Sequence, residues 1–409
     1  MATIGSVLAA LPPDLDAVAV RAGDRTIVGV LPDEVVVASG AAAFDRLDAL
    51  TPGWWAGFAA YDLGRAVEHV EPRRSPDPDD PPDLLLARFE TRAVIDRAGA
   101  VEIVGNGPGR SVLQAAITAP RPARRIPTSS SHVCSSRVWT SSLDRAEFAA
   151  GVERILEHIR AGDCYQVNLT RRLTLDHPLD PVALFAELEV RNPAPQAAFL
   201  RFPGRAVVSA SPECFLRWRG RAVETRPIKG TGTDPGALRA SAKDRAENVM
   251  IVDLARNDLG RVCDPGSIHV PSLCAVEEHP GLHHLVSTVR GRRRDGTGLA
   301  ELLRATFPPA SVTGAPKPRV LQIIEDLEPM RRGVYCGAIG WLDTERAAGE
   351  LAVAIRTFTV TGSATHLPVG AGIVADSRPD AEWAETELKA ARLLAAAGRH
   401  DLRAAALAS

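Results

Sequence analysis

Of the 48 basic residues in this 409-residue sequence only four, Lys229, Lys243, Lys317 and Lys389, are lysine. An amine can shed its proton and become a nucleophile, whereas a guanidinium effectively cannot. A chain that uses arginine wherever plain positive charge suffices marks its few lysines for other chemistry. Lys229 stands in Arg226-Pro-Ile-Lys-Gly-Thr231, where Pro227 fixes the backbone and Gly230 permits close approach, so the amine is presented from a defined turn. Upstream, Ser211-Pro212-Glu213 sets a carboxylic acid at the end of a strand. An amine and an acid on neighbouring strand ends can serve as nucleophile and proton donor. The competing reading is a surface lysine in a turn.

Glu382, Glu385 and Lys389 fall at i, i+3 and i+7 of one helical pattern and share a face. Two carboxylates so close repel unless a cation intervenes, and magnesium is a hard ion commonly held by one or two carboxylates plus substrate oxygens. A solvated face with a Glu385–Lys389 ion pair is the alternative. Glu247 lies in AENVMIVDLARNDLGRV, where Met250, Ile251 and Leu254 bury one side and Glu247, Asp253 and Asp258 need other partners. Glycines recur in Thr313-Gly-Ala-Pro-Lys317, Tyr335-Cys-Gly337 and Gly370-Ala-Gly372, where backbone amides could approach an anion. None of these is a P-loop or dinucleotide fingerprint, and no G-x-S-x-G or G-x-C-x-G elbow occurs. His284, after His283, is open to reading as core, ligand or base.

The elements that must carry these groups are short strands and a few amphipathic helices. Strands are expected at Thr26 to Val30 and Glu34 to Val37, then a Pro/Asp-rich loop from Val70 to Asp83 and an irregular stretch from Gly107 to Ser142. Asp144 with Glu147 forms a capping box ahead of the stripe Phe148, Val152, Ile155, Leu156, Ile159, and Gly162 ends that helix. Tyr165, Val167 and Leu169 alternate with Gln166, Asn168 and Thr170 as a strand with one polar face. Further strands are expected at Ala206 to Ala210, Cys214 to Trp218, Ala222 to Thr225, Cys336 to Leu342, Leu351 to Val360 and His366 to Val374. Helices are expected at Leu238 to Leu259, Lys317 to Leu327 and Pro379 to Ala397. Grouped rather than alternating elements favour an α+β fold with large antiparallel or mixed sheets.

Composition sets outer limits. A net charge of -2, with 45% hydrophobic and 24% charged residues, is that of an ordinary globular protein and argues against a nucleic-acid binder. No run approaches the roughly 20 apolar residues of a membrane span. No basic region precedes the first apolar stretch, so a secretory signal is not expected. Six cysteines without a C-x-x-C pair suit reduced thiols, hence a cytoplasmic location, no disulfide framework and no zinc site.

Taken in order, these segments resemble the chorismate-binding family. The series runs DCYQVNLT at 163–170, SPE at 211–213, PIKGT at 227–231, ENVMIVDLARNDLGRV at 247–262 and HHLVSTVRG at 283–291. It continues with FPPASVTGAPK at 307–317, YCGAIG at 335–340, IRTF at 355–358, GAGIVADS at 370–377 and EWAETELKA at 382–390, and touches WWAGFAAYDLGR at 54–65. The family includes the large subunits of anthranilate synthase and aminodeoxychorismate synthase, isochorismate synthases and salicylate synthases. The resemblance implies a large α+β structure, a two-sheet antiparallel β sandwich flanked by helices. Residues 1–110 would be an N-terminal β-rich part integral to the fold, 111–143 an irregular linker and 144–397 the chorismate-binding catalytic region.

Two positions choose the chemistry within the family. Water-adding members carry a lysine where this chain has Gln166, and the lysine of PIKGT resembles the aminodeoxychorismate synthases, where anthranilate synthases have alanine. The resemblance thus implies amination of chorismate at C4, with Lys229 attacking C2 and Glu213 protonating the departing C4 oxygen. Magnesium would be held by Glu247 and Glu385, with Glu382 nearby through water. Gln166, His284, Thr313, Tyr335, Arg356, Gly370, Gly372 and Lys389 would line the substrate site, and a separate glutamine amidotransferase subunit would supply ammonia. The alternatives are C2 amination with pyruvate loss and a non-catalytic chorismate-binding regulatory subunit. Gln196 departs from the family where an aromatic is common, and the N-terminal tryptophan-binding motif is missing.

Overall fold

The computed structural model describes residues 3–74, 77, 79–119, 138–279 and 282–398. Two large sheets, one of eleven strands and one of ten, form the body, and every pairing among the described strands is antiparallel. This is the α+β two-sheet arrangement expected from the sequence. Strands from the first hundred residues enter both sheets: Ala17–Ala22 and Arg25–Val30 lie in the larger, Trp54–Ala59 and Leu84–Arg88 in the smaller.

The sheets are linked by two adjacent crossings. Strand Arg205–Ser211 of the larger sheet continues through Pro212 and Glu213 into Cys214–Arg219 of the smaller. Strand Ala348–Val353 of the smaller sheet continues through Ala354, Ile355 and Arg356 into Thr357–Thr361 of the larger. The partners match on both sides, since Arg205–Ser211 pairs with Thr357–Thr361 and Cys214–Arg219 with Ala348–Val353. Glu213 and Arg356 therefore mark side-by-side bends between the sheets. Here the expected single strand from Leu351 to Val360 is corrected to two strands. Arg356 has φ +51°, a left-handed conformation that ends one strand and redirects the chain.

Helix Arg145–Arg160 carries the expected capping box, with Asp144 accepting from the Glu147 N–H at 2.8 Å, and buries Phe148, Val152, Ile155 and Leu156. Each such side chain contributes about 1.5–3 kcal/mol when fully buried. The single helix expected from Leu238 to Leu259 is two helices, Pro235–Ala240 and Ala242–Gly260. The extended Ser241 between them accepts from the Asp244 N–H at 3.2 Å and caps the second. Part of the stretch expected to be an irregular linker is also ordered. Residues 111–118 belong to helix Gly109–Thr118, which buries Leu113 and Ala116, a stripe too short to stand out among Pro, Arg and Ser. Residues 138–143 are ordered too, with buried Trp139 and the short strand Thr140–Ser141, while residues 120–137 lie outside the described residues. Periodicity does not reveal the long pair His269–His279 and Leu282–Arg292, because the first strand is exposed or half-buried along most of its length and the second buries polar His284, Ser287 and Thr288 among its apolar residues. No helix among the described residues is long and apolar enough to cross a membrane.

Candidate active site

Lys229 lies on strand Ile228–Gly232 at the edge of the smaller sheet, and this corrects the expected turn. Pro227, lacking an N–H, interrupts the run from Ala222–Arg226. Both pieces pair with Leu282–Arg292, with a register shift between Ile228 and Thr231. Gly230, at φ +81°, makes that irregularity possible and the Lys229 side chain turns inward, half-buried. No hydrogen bond or ion pair holds its ammonium among the described residues. Burial pushes its pKa below the usual lysine value, against the opposing pull of the Glu247 and Glu213 carboxylates.

Glu213 is buried, 4% exposed. Burial raises its pKa to about 7, although the Ser311 hydroxyl, the Lys229 and Arg356 charges and the Ile228 N–H all favour the carboxylate. Its backbone is fixed too, since the Glu213 N–H donates to Ser211 Oγ at 3.2 Å and its carbonyl accepts from the Val353 N–H at 3.0 Å. Arg356, half-buried beside it, has its pKa lowered by burial and by Arg392, with Glu213 opposing.

The larger sheet supplies the facing wall. Strands Gln166–Leu175 and Thr365–Ile373 pair so that Gly372 opposes Asn168 and Gly370 opposes Thr170. A methyl group placed on Gly372 would lie 3.5 Å from Gln166 Nε2 and 3.6 Å from Lys229 Nζ, so both side chains converge there. Gln166 is fully buried, and neither its amide nitrogen nor its oxygen has a protein partner. Unpaired buried amide groups are costly, and they suit a polar ligand. The expected strand starts one residue later than Tyr165, which is 71% exposed, and the polar face of Gln166, Asn168 and Thr170 is buried rather than solvated.

Two helices close the site. Glu247, on Ala242–Gly260, lies 3.9 Å from Lys243, and burial raises its pKa. Glu385, on Pro379–Ala396, pairs with Lys389 at 2.7 Å. Burial raises the Glu385 pKa, but Lys389, Lys243 and Lys229 outweigh it and hold the group below the ordinary carboxylate range. Glu247 and Glu385 sense each other's charge. Lys389 also donates to the Gly370 carbonyl at 2.8 Å.

The remaining expected residues divide. His284 bonds Thr231 through Nδ1 at 2.9 Å. Burial and Arg356 lower its pKa to about 4, so its imidazole is neutral. Glu382 is buried and accepts from Ser377 Oγ at 2.7 Å, which occupies part of its carboxylate. The Thr313 hydroxyl is spent on the Pro309 carbonyl at 2.8 Å. Tyr335 packs in the core, its pKa raised by burial, with Arg332 and Glu328 as its charged neighbours. Lys243 and Ser311 join the site without having stood out as site residues in the sequence. The scarcity of lysine was a signal for the first; nothing but its place in FPPASVTGAPK marked the second.

The donor set fits magnesium in part. Among the described residues no three His, Cys, Asp or Glu side chains gather as a metal cage, but Glu247 and Glu385 offer two hard carboxylates from distant helices. Such a pair holds magnesium when substrate oxygens and water complete the shell. Around it, Lys229, Lys243, Lys389 and Arg356 make a cationic field suited to a small polycarboxylate.

Comparison with known proteins follows the same line. The family described as chorismate binding enzyme matches residues 20–395. Aminodeoxychorismate synthase component 1 of Klebsiella aerogenes is 40% identical over 83% of this chain and 76% of its own length. Anthranilate synthase component 1 of Thermus thermophilus is 39% identical over the same shares, 83% and 76%. The crystal structure of anthranilate synthase component I from Streptococcus pneumoniae TIGR4 superposes with a TM-score of 0.76 at 26% identity, covering 90% of this chain and 92% of that one.

Proposed function

Because the chain belongs to the chorismate-binding enzyme family, we propose that this chorismate-utilising enzyme aminates its substrate at C4, with Lys229 as nucleophile and Glu213 as general acid. Global identity does not separate the two aminating relatives, at 40% and 39%. The observation that carries the reading is the amine of Lys229, half-buried, unpaired and converging with Gln166 on Gly372.

In this reading Lys229 Nζ bonds to C2 of chorismate, the ring double bonds shift, and the C4 hydroxyl leaves as water with the proton of Glu213. Ammonia then bonds at C4, the double bonds shift back and Lys229 departs, so the sum is chorismate plus ammonia giving 4-amino-4-deoxychorismate plus water. The attack needs a neutral amine, and burial lowers the Lys229 pKa in that direction. The departure needs an acid still protonated near neutrality, and Glu213 at about 7 meets that need. Glu247 and Glu385 would hold magnesium, which when bound supplies charge neutralisation for a substrate carboxylate. Lys389 and Arg356 are placed to receive carboxylate oxygens, and the Gln166 amide a polar group of the substrate or of ammonia. The component 1 names of the relatives support a partner that delivers ammonia from glutamine, and this sequence has no G-x-C-x-G nucleophile of its own.

Mass spectrometry of the product from chorismate, ammonium and magnesium is the test. 4-Amino-4-deoxychorismate is expected; anthranilate with pyruvate would overturn the C4 assignment, and no turnover would favour a binding subunit. Glutamine should serve only once an amidotransferase subunit is added. Glu385→Gln should lose both activity and magnesium response while remaining folded, and full activity in EDTA would refute the metal's role.

A further inference from the structure

Lys317 is a second withdrawn lysine that the proposed reaction does not use. It is 6% exposed, and its ammonium meets Asp258 Oδ2 at 2.7 Å and the Thr306 carbonyl at 2.8 Å. Thr306 ends helix Leu299–Thr306 and Lys317 begins helix Lys317–Leu327, so the two flank the segment 307–316. The side chain at one end of that segment thus grips the backbone at the other end and, through Asp258, the end of helix Ala242–Gly260. A cation on the last carbonyls of a helix is favourable in itself. Two acceptors converging on one point suit a compact ammonium better than the planar fork of arginine.

The gripped segment carries Ser311, which lines the same cavity as Glu213 and favours its carboxylate form, and Thr313, whose carbonyl accepts from the Asn168 N–H at 2.9 Å on the strand that begins with Gln166. Gly314, at φ +138°, sits so close to this strand that a Cβ would lie 2.0 Å from the Gln166 carbonyl, so the seating of the segment leaves no slack. Glu213, Ser311, Thr306 and Asp258 also line one interior cavity of about 30 Å³. The grip and the acid share a wall.

We propose that Lys317 is a positioning residue for Glu213: it clasps segment 307–316 so that Ser311 stays against Glu213 in the cavity they share. The proposal rests on the preceding reading only in taking Glu213 as the acid. A hydroxyl held beside the carboxyl favours the carboxylate, so displacing Ser311 raises the pKa of Glu213 and moves the alkaline fall of activity to higher pH.

The test is a double-mutant cycle of Lys317→Met and Ser311→Ala, following chorismate consumption with ammonium across pH whatever the product. Each single variant is expected to shift the alkaline limb upward and lower kcat several-fold, with KM for chorismate within about two-fold; the double variant should shift no further than Ser311→Ala. Additive shifts, or an unmoved limb in Lys317→Met, would overturn the clasp. If Lys317→Met does not fold, Lys317→Gln, whose shorter, uncharged side chain loosens the grip on both Asp258 and the Thr306 carbonyl, takes its place in the cycle, and the same shifts support or overturn the clasp. A limb that persists in Glu213→Gln would instead overturn the assignment of the acid and the clasp with it, whereas a limb lost there but indifferent to Lys317 defeats the clasp alone.

Discussion

Lys229 and Lys317 are both drawn away from bulk water, and they differ in what meets the ammonium. Lys317 has two acceptors, Asp258 at 2.7 Å and the Thr306 carbonyl at 2.8 Å. Lys229 has none among the described residues; Glu247 and Glu213 act on it only through space. Arg332 repeats the first pattern, fully engaged by Glu328 at 2.6 Å and the Val312 carbonyl at 3.0 Å. A buried cation that is satisfied by the protein stiffens the fold, and removing one partner of such a pair costs about 3–5 kcal/mol. An unsatisfied one is held at an energetic disadvantage that the folded chain tolerates, and it becomes available to react.

The largest expected effects test that contrast directly. Lys229→Met should abolish turnover, by about 10³-fold or more, while leaving thermal stability unchanged or raised. Lys317→Met should do the reverse in emphasis, losing about 3–5 kcal/mol of stability by stranding Asp258. Chemical denaturation beside steady-state rates separates the two. Equal destabilisation by both substitutions would break the distinction drawn here.

Glu213 extends the comparison to an acid. Glu213→Gln should cost about 10²–10⁴-fold in rate, the range for a general acid. Its folded pKa of about 7 lies above the ordinary carboxyl value of 4.5. The protonated form is therefore favoured in the fold, and the associated stability is present below pH 4.5 and lost as pH rises through 7. At pH 8 the variant should then be more stable than the parent, by up to about 3 kcal/mol, and the gain should vanish toward pH 4. The same groups set the rate profile, which should rise as Lys229 deprotonates and fall as Glu213 does. A profile flat from pH 6 to 9 would contradict both roles.

Much of this was legible in the sequence because it depends on local signals. The capping box of Asp144 and Glu147, the helix Lys317–Leu327, the strands on either side of SPE and the strand that precedes PIKGT follow from periodicity and punctuation. The four lysines stood out against arginine, and three of them, Lys229, Lys243 and Lys389, act on Glu385. What stayed hidden depends on distant partners. The crossing at Ala354 to Arg356 reads as uninterrupted strand because Arg356 gives no warning of its left-handed backbone. Ser241 looks like one more helical residue until its side chain is seen to cap. Ser311 and Glu213, far apart in the chain, come to line one cavity, and no spacing announces it.

The smallest expected effect lies at the glycines of strand Thr365–Ile373, and it separates room for the fold from room for the ligand. At Gly370 an added Cβ would meet the Leu169 carbonyl at 2.8 Å, backbone that cannot move aside, so Gly370→Ala should destabilise the protein. At Gly372 the nearest atoms would be Gln166 Nε2 at 3.5 Å and Lys229 Nζ at 3.6 Å, ordinary contact distances, and the backbone is not left-handed. Gly372→Ala should therefore fold with unchanged stability, or gain a few tenths of a kcal/mol from a stiffer unfolded chain. The methyl would nevertheless occupy the space on which the reactive amine and the unpaired amide converge. We expect kcat/KM for chorismate to fall about ten-fold, through KM more than kcat, since the amine itself is untouched. Wild-type kinetics in Gly372→Ala would mean that the substrate ring does not pass between Gln166 and Lys229, and the unpaired state of Lys229 would need another explanation.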